Sequence, residues 1–285
     1  MTLYNNISPD LQRRRQILQV SRLQQALMET TRRDKAIGLL TPKAVAAFAA
    51  LLLSDDKGIP IYPAAHHWLW LQLMCNPEIK RLLIIGPPES AKTTWSLAFM
   101  ACNIAFHPES NNIIGSIDAE TAMKRSMTIR SLVESETWKS LFPDIRAAEG
   151  MKQEQAEWSI ARNGIATQGR LHPSMRGYGT GQAIVGSRAD LLVGDDLIDY
   201  NLSRTTGMRK FVKEWFHNSF LSRLKSGGRV ILIGTAWNCS DLYSDIRQAG
   251  EGWVICKTSL LQDGPCYAEL YYPDNFIGQM LGEPQ

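Results

Sequence analysis

No apolar run in the chain comes near the ~20 residues that a membrane-spanning helix needs. The longest, from Ala44 to Leu53, is about half that, and the N-terminus carries no signal-peptide pattern. No Cys-x-x-Cys pair occurs. The five cysteines, at 75, 102, 239, 256 and 266, are scattered, which reads as reduced thiols in a cytosol and not as a disulfide framework. The five histidines show no metal-ligand spacing. His66 and His67 are adjacent, would point to different faces of a helix, and read as structural. The net charge of +3 is too small to mark a nucleic-acid binder by itself. A guanine-reading Asn-Lys-x-Asp is missing, and so is any internal repeat. At 285 residues the chain can hold one or two domains with a sizeable core.

What is present centres on Arg81 to Trp95, RLLIIGPPESAKTTW. A short apolar run, Leu82 to Ile85, fits a buried strand, and Thr94 to Ala105 is apolar enough for a buried helix. Between them, Gly86-Pro87-Pro88-Glu89-Ser90-Ala91-Lys92-Thr93 has the spacing G-x-x-x-x-G-K-[ST], with Ala91 where the last glycine normally stands. Phosphate chemistry accounts for these residue types. Backbone N–H groups of the loop, through Thr94 at the helix start, would point at phosphate oxygens. Lys92 would reach the β- and γ-phosphates of ATP, and the Thr93 hydroxyl would ligate Mg²⁺. The competing reading is an ordinary strand-to-helix turn.

The first 75 residues read as an all-helical subdomain. Leu11 to Ile37 is helical in pattern and crowded with arginine; Thr41-Pro42 opens a second helix ending near Ser54; Ala64 to Cys75 is a third. A core over residues 76–262 follows, with strands expected at 112–117, 183–185, 189–194, 229–233 and 253–258. Helices are expected at 118–135, 203–224 and 239–248, with Gly227-Gly228 capping the second of these. A short hairpin is expected across Asn163-Gly164, and residues 173–181 read as a glycine-rich loop. This alternation predicts an α/β fold: a P-loop NTPase with a mainly parallel sheet flanked by helices. In such sheets ligands bind beyond the carboxyl ends of strands, where the 86–93 loop, Asp195-Asp196 and Thr235 all fall. Asp195 would hold Mg²⁺ and Asp196 would orient and deprotonate the attacking water. A solvated acidic turn is the alternative. Residues 263–285 read as a tail whose acids have no sheet to hold them.

The stretch LLVGDDLIDYNLSRTTGMRKFVKEWFHNSFLSRLKSGGRVILIGTAWNCSDLY, with LHPSMRGYGTGQAIVGSRADLLVGDD before it, resembles the ATPase domain of the large terminase subunit of tailed bacteriophages. The likeness runs over roughly residues 65 to 273 and implies ATP hydrolysis coupled to translocation of double-stranded DNA into a procapsid. It implies Walker A roles for Lys92 and Thr93, a Walker B role for Asp195, a catalytic carboxylate at Asp196 and a coupling motif at Thr235. Implied partners are DNA, a portal protein, a small terminase subunit and further copies in a ring, in a host cytoplasm. The alternative is a P-loop DNA-binding or assembly protein without motor activity. The family often carries an arginine inside the phosphate loop; here that position is Pro88. A charge-stabilising arginine is therefore expected from elsewhere, a neighbouring subunit included, with Arg125, Arg130 and Arg176 as candidates. DNA is expected to meet the basic N-terminal helix and the Arg209, Lys210, Lys213 face. Family proteins continue into a nuclease domain, whereas this sequence stops soon after Tyr271-Tyr272-Pro273-Asp274, so no nuclease activity is expected of it.

Overall fold

The computed structural model describes residues 25–148, 157–162, 172–250, 252–259 and 267–271. Residues 25–36 form α1. In α2, Pro42–Leu52, Pro42 takes the first turn and the Thr41 hydroxyl accepts from Ala44 N–H, an N-cap that also satisfies an otherwise unpaired donor. The next elements are α3 (Ala65–Cys75), β1 (Arg81–Ile85), α4 (Lys92–Phe106), β2 (Asn112–Ser116), α5 (Ala119–Glu134) and α6 (Glu136–Leu141). Then come β3 (Ile145–Ala147), β4 (Glu157–Trp158), β5 (Ile160–Arg162), β6 (Met175–Gly179), β7 (Ala189–Asp195), α7 (Tyr200–Arg204) and α8 (Thr206–Trp215). β8 (Leu224–Gly234), α9 (Leu242–Ala249), β9 (Val254–Ser259) and β10 (Tyr267–Tyr271) complete the chain.

Eight strands form one sheet in the order β10-β9-β1-β8-β7-β2-β6-β4. The six inner strands run parallel, and the two edge strands, β10 and β4, are antiparallel to their neighbours. Period-two alternation sends each inner strand into two cores. Leu82 and Ile84 of β1, with Ile231 and Ile233 of β8, pack under α2 to α5. Leu83 and Ile85, with Val230 and Leu232, pack under α8, the turn after it and α9. Burial on both faces is why these strands read as continuous apolar runs. Each such side chain contributes about 1.5–3 kcal/mol. The helices α2 and α3 share the first core with α4 and the sheet. Among the described residues no helix is long and apolar enough to cross a membrane.

Several sequence expectations are corrected. The glycine-rich segment is not a loop: Met175–Gly179 is β6, paired in parallel with β2. Its glycines let the strand press against α5. A Cβ on Gly177 would lie 2.7 Å from the Ala122 carbonyl, and one on Gly179 2.2 Å from Ala119 N. Residues 183–185 form no strand. The single helix expected over 203–224 is four pieces: α7, α8, a π-helical turn at Phe216–Phe220 and a 3₁₀ turn at Leu221–Arg223. Gly227 and Gly228 therefore cap nothing; they lie inside β8, where its pairing with β7 shifts register. β5 pairs with β3; the hairpin expected across Asn163-Gly164 has its far limb outside the described residues. Part of the expected tail is β10, with Glu269 in register with Lys257 of β9.

Candidate nucleotide site

The loop between β1 and α4 is built on two fixed ends. Gly86 N–H donates to the Gly234 carbonyl at 3.0 Å, tying the loop to the end of β8. At the other end Ala91 stands at φ 56°, ψ 26° just before α4. This is the left-handed conformation that favours glycine, so the position where a glycine normally stands keeps its geometry with alanine under strain. Ser90 Oγ donates back to the Pro87 carbonyl at 2.7 Å. With no side-chain cap at Ala91, the first-turn N–H groups of α4 keep their donor capacity and the helix presents its positive end.

Behind the loop stands α3. Ala64 N–H donates to His67 Nδ1 at 3.0 Å, which places the ring proton on Nε2, and Nε2 donates to the Ser90 carbonyl at 2.9 Å. His67 packs against Trp70 and Trp95 and in contact with His66, their ring centroids 3.9 Å apart, so the two histidines do not part to opposite faces. Burial pushes His67 down to about 4, against the pull of its bond to Ser90. Nothing in the sequence marked this brace, because it joins residues 23 apart through a carbonyl.

The other wall comes from β7 and β8. Asp195, the last residue of β7, is fully buried. Burial raises its pKa to about 6, while Arg125 lowers it and the Asp196 charge raises it further. The Thr93 and Ser96 hydroxyls also favour its ionised form, yet neither carboxylate oxygen receives a well-aligned hydrogen bond. Its partner is Arg125 Nη1, in an ion pair. Asp196 follows at φ 51°, with its N–H donating to the Ile233 carbonyl at 2.9 Å. Burial raises its pKa, and Lys92 and then Arg125 oppose that. Lys92 is itself buried, its Nζ donating to the Pro87 carbonyl at 2.5 Å. Burial lowers its pKa against the attraction of Asp196 and Asp195. Thr235 Oγ1 donates to the Gly86 carbonyl at 3.3 Å, and Trp237 N–H is held by Asp241 at 2.9 Å.

These groups enclose a cavity of about 570 Å³, lined among others by Glu89 to Thr93, Asp118, Arg125, Asp196, Thr235 and Trp237. Glu89, Ala91 and Asp196 are the three non-glycine residues with positive φ among those described, and all three line it. Backbone strain is therefore concentrated where a ligand would sit. The donor set suits Mg²⁺: a hydroxyl and a buried carboxylate with unfilled lone pairs, both hard oxygens, leaving positions for phosphate and water. No cluster of three or more His, Cys, Asp or Glu that could hold a metal occurs among the described residues.

The arginine candidates separate. Arg125 lines the cavity of its own chain. Arg130 does not; it is buried and pairs with Glu134 at 2.8 Å. Five helical residues turn a side chain by about 140°, so the two arginines leave α5 on different sides. Arg176 is held at the sheet edge by Glu157 at 3.1 Å. Of the expected DNA-facing cations, Lys213 is bonded to Asp245 at 2.7 Å and Arg209 to the Ser203 carbonyl at 2.9 Å, while Lys210 stays exposed 3.7 Å from Glu214.

The chain has the mainly parallel sheet flanked by helices of the P-loop NTPase fold. Among solved structures, the chain is similar to the large terminase of bacteriophage HK97, with TM-score 0.51, 14% identity, and coverage of 79% of this chain and 46% of that one. It also matches a mutant ATPase domain of the Thermus phage P74-26 large terminase, with TM-score 0.49, 12% identity, and coverage of 67% and 73%. The chain thus spans about half the length of the HK97 protein whose fold it shares. No protein-family model and no curated protein sequence matches it.

Proposed function

We propose that the chain is the ATPase unit of a viral DNA-packaging motor, hydrolysing ATP to drive double-stranded DNA into a procapsid. The observation that carries the reading is the meeting of Lys92, Thr93, Asp196 and Arg125 around one strained cavity, with Asp195 buried against it, at the carboxyl edge of a terminase-like sheet. Lys92 leaves the Pro87 carbonyl for the β- and γ-phosphates, while the loop and the α4 N-terminus bind phosphate oxygens. Thr93 and Asp195 would hold Mg²⁺. When bound, Mg²⁺ supplies charge neutralisation at the phosphate oxygens. Asp196, its carboxylate partly unpaired, orients the attacking water and accepts its proton. Thr235, bonded to the loop and following β8, joins hydrolysis to movement of the β8 end.

In this reading DNA is gripped through its phosphates, which repeat identically at every step, and not through bases. The portal protein, the small terminase subunit and further copies in a ring are its partners, in the host cytoplasm. The test is phosphate release from Mg·ATP with and without double-stranded DNA. Turnover that DNA stimulates supports the motor. Nucleotide binding without turnover would instead make this a non-hydrolysing P-loop DNA-binding or assembly protein.

A further inference from the structure

The Arg125 guanidinium is held at two points. Its Nη1 pairs with Asp195 Oδ2, and its Nε donates to Ser116 Oγ at 3.1 Å. Ser116 Oγ in turn donates to the Asp195 carbonyl at 2.9 Å, so one hydroxyl positions both partners. The Asp195 side chain is fully buried, whereas that of Arg125 is 15% exposed and lines the cavity. It is the one arginine among the lining residues, and the loop over residues 86–93 contains no arginine of its own.

Two demands meet on this pair. Asp195 is the carboxylate assigned to the metal, yet its charge is already taken by a guanidinium. The transferring phosphate needs a cation beyond Lys92, and the nearest one is committed to Asp195. Resting on the ATPase reading above, we propose that Arg125 is a latch opened by the metal–nucleotide: without nucleotide it holds Asp195, and with the chelate bound it is released to the phosphate of the same chain. The exchange leaves no buried charge uncompensated. Opening a buried ion pair is costly when one partner is left alone, but here the divalent cation takes over Asp195 as the guanidinium gains phosphate oxygens, which it binds in fork geometry. Nucleotide without metal brings no cation to replace Arg125 at the buried Asp195, so the latch selects the chelate. It also removes the need for an arginine from a neighbouring subunit.

The experiment is Mn²⁺ titration of the nucleotide-free chain at pH 8, followed by electron paramagnetic resonance, alongside ATP turnover. Arg125→Ala should bind Mn²⁺ about 10-fold more tightly than wild type, because Asp195 is freed, and Arg125→Ala with Asp195→Asn should lose that gain. Turnover of Arg125→Ala should fall at least ~10²-fold, in the range seen for lost phosphate-stabilising arginines. Arg125→Lys keeps the charge but not the fork: it should retain wild-type Mn²⁺ affinity yet turn over slowly. Should Arg125→Ala not fold, Ser116→Ala, which removes the Nε anchor, must bind Mn²⁺ more tightly than wild type. Unchanged Mn²⁺ affinity in Arg125→Ala and Ser116→Ala would overturn the latch, as would wild-type turnover in Arg125→Lys. So would recovery of activity on mixing Arg125→Ala with Lys92→Ala chains. A wild-type chain with no ATP turnover would sink the ATPase reading, while the metal titration would still decide whether Arg125 guards Asp195.

Discussion

The two ends of the parallel sheet use similar polar residues and leave them in opposite states. At the amino end, Asn103 donates to Asn112 at 3.0 Å and Asn112 to the Ser174 carbonyl at 2.9 Å. Lys225 reaches Asn111 at 2.7 Å and Asp190 at 2.8 Å, and Arg229 donates to the Ile79 and Met74 carbonyls, both at 2.9 Å. A cavity of about 490 Å³ lies there too, but none of these side chains leaves a buried polar atom unpartnered. At the carboxyl end, Asp195 and Asp196 keep carboxylate oxygens without hydrogen bonds, Lys92 settles for a carbonyl of its own loop, and the backbone is strained at three residues. A buried polar group left unmade costs more than a made bond gains. The amino end is finished by the fold; the carboxyl end holds capacity in reserve for a ligand.

The sharpest break of that contrast is chemical. Lys92→Ala should abolish ATP turnover and weaken nucleotide binding, whereas Asp196→Asn should still bind Mg·ATP and hydrolyse it at least ~10²-fold more slowly, as for a lost general base. Full turnover in Asp196→Asn would assign the base elsewhere. At the amino end the effect should be thermodynamic alone. Asn112→Ala removes the acceptor of the buried Asn103 amide and a donor to the Ser174 carbonyl and should cost about 1–3 kcal/mol in denaturant unfolding, with the KM for ATP unchanged.

A smaller effect follows from His67. Its pKa in the fold, about 4, is depressed from 6.5, so the unfolded chain takes up the proton first. The neutral ring's stabilisation is complete above about 6.5 and is lost as pH falls towards 4. Asp195, raised to about 6, acts in the opposite direction, losing stability as pH rises through its own window. Unfolding free energies of wild type and His67→Gln should therefore be compared from pH 4 to 7, and their difference should shrink on acidification. A pH-independent difference would remove His67 from the account. The smallest change is Ala91→Gly. Relief of the left-handed alanine, ~1 kcal/mol, is largely offset by the glycine's lost chain entropy, so stability should move by less than about 1 kcal/mol and turnover should persist.

Legibility in the sequence followed the range of each interaction. The strand–loop–helix at 81–106 and the acidic end of β7 were readable because strand, turn and reactive side chains are contiguous. Ala91 looked like a defect in the motif; at φ 56° it stands in the left-handed conformation that glycine favours. Gly177 and Gly179 read as a loop because glycine signals turns; their reason is tertiary, a strand pressed on α5. The break at Phe216–Phe220 left no proline or glycine to announce it. Arg125 could be told from Arg130 only once the orientation of α5 was set by the packing of Ile129 and Val133 in the core. The edge strand β10 is short, and a five-residue run beyond a glycine-proline step carries too little pattern to be assigned.

The most direct measurement is the thermal unfolding of wild type, Lys92→Ala and Asn112→Ala with and without a saturating non-hydrolysable Mg·ATP analogue. A ligand that binds only the folded chain stabilises it by ~2.7 kcal/mol at 100 times its Kd. Wild type and Asn112→Ala should show equal upward shifts in Tm, from different starting points, and Lys92→Ala little or none. A shift that survives in Lys92→Ala but vanishes in Asn112→Ala would place the ligand at the wrong end of the sheet and contradict the account.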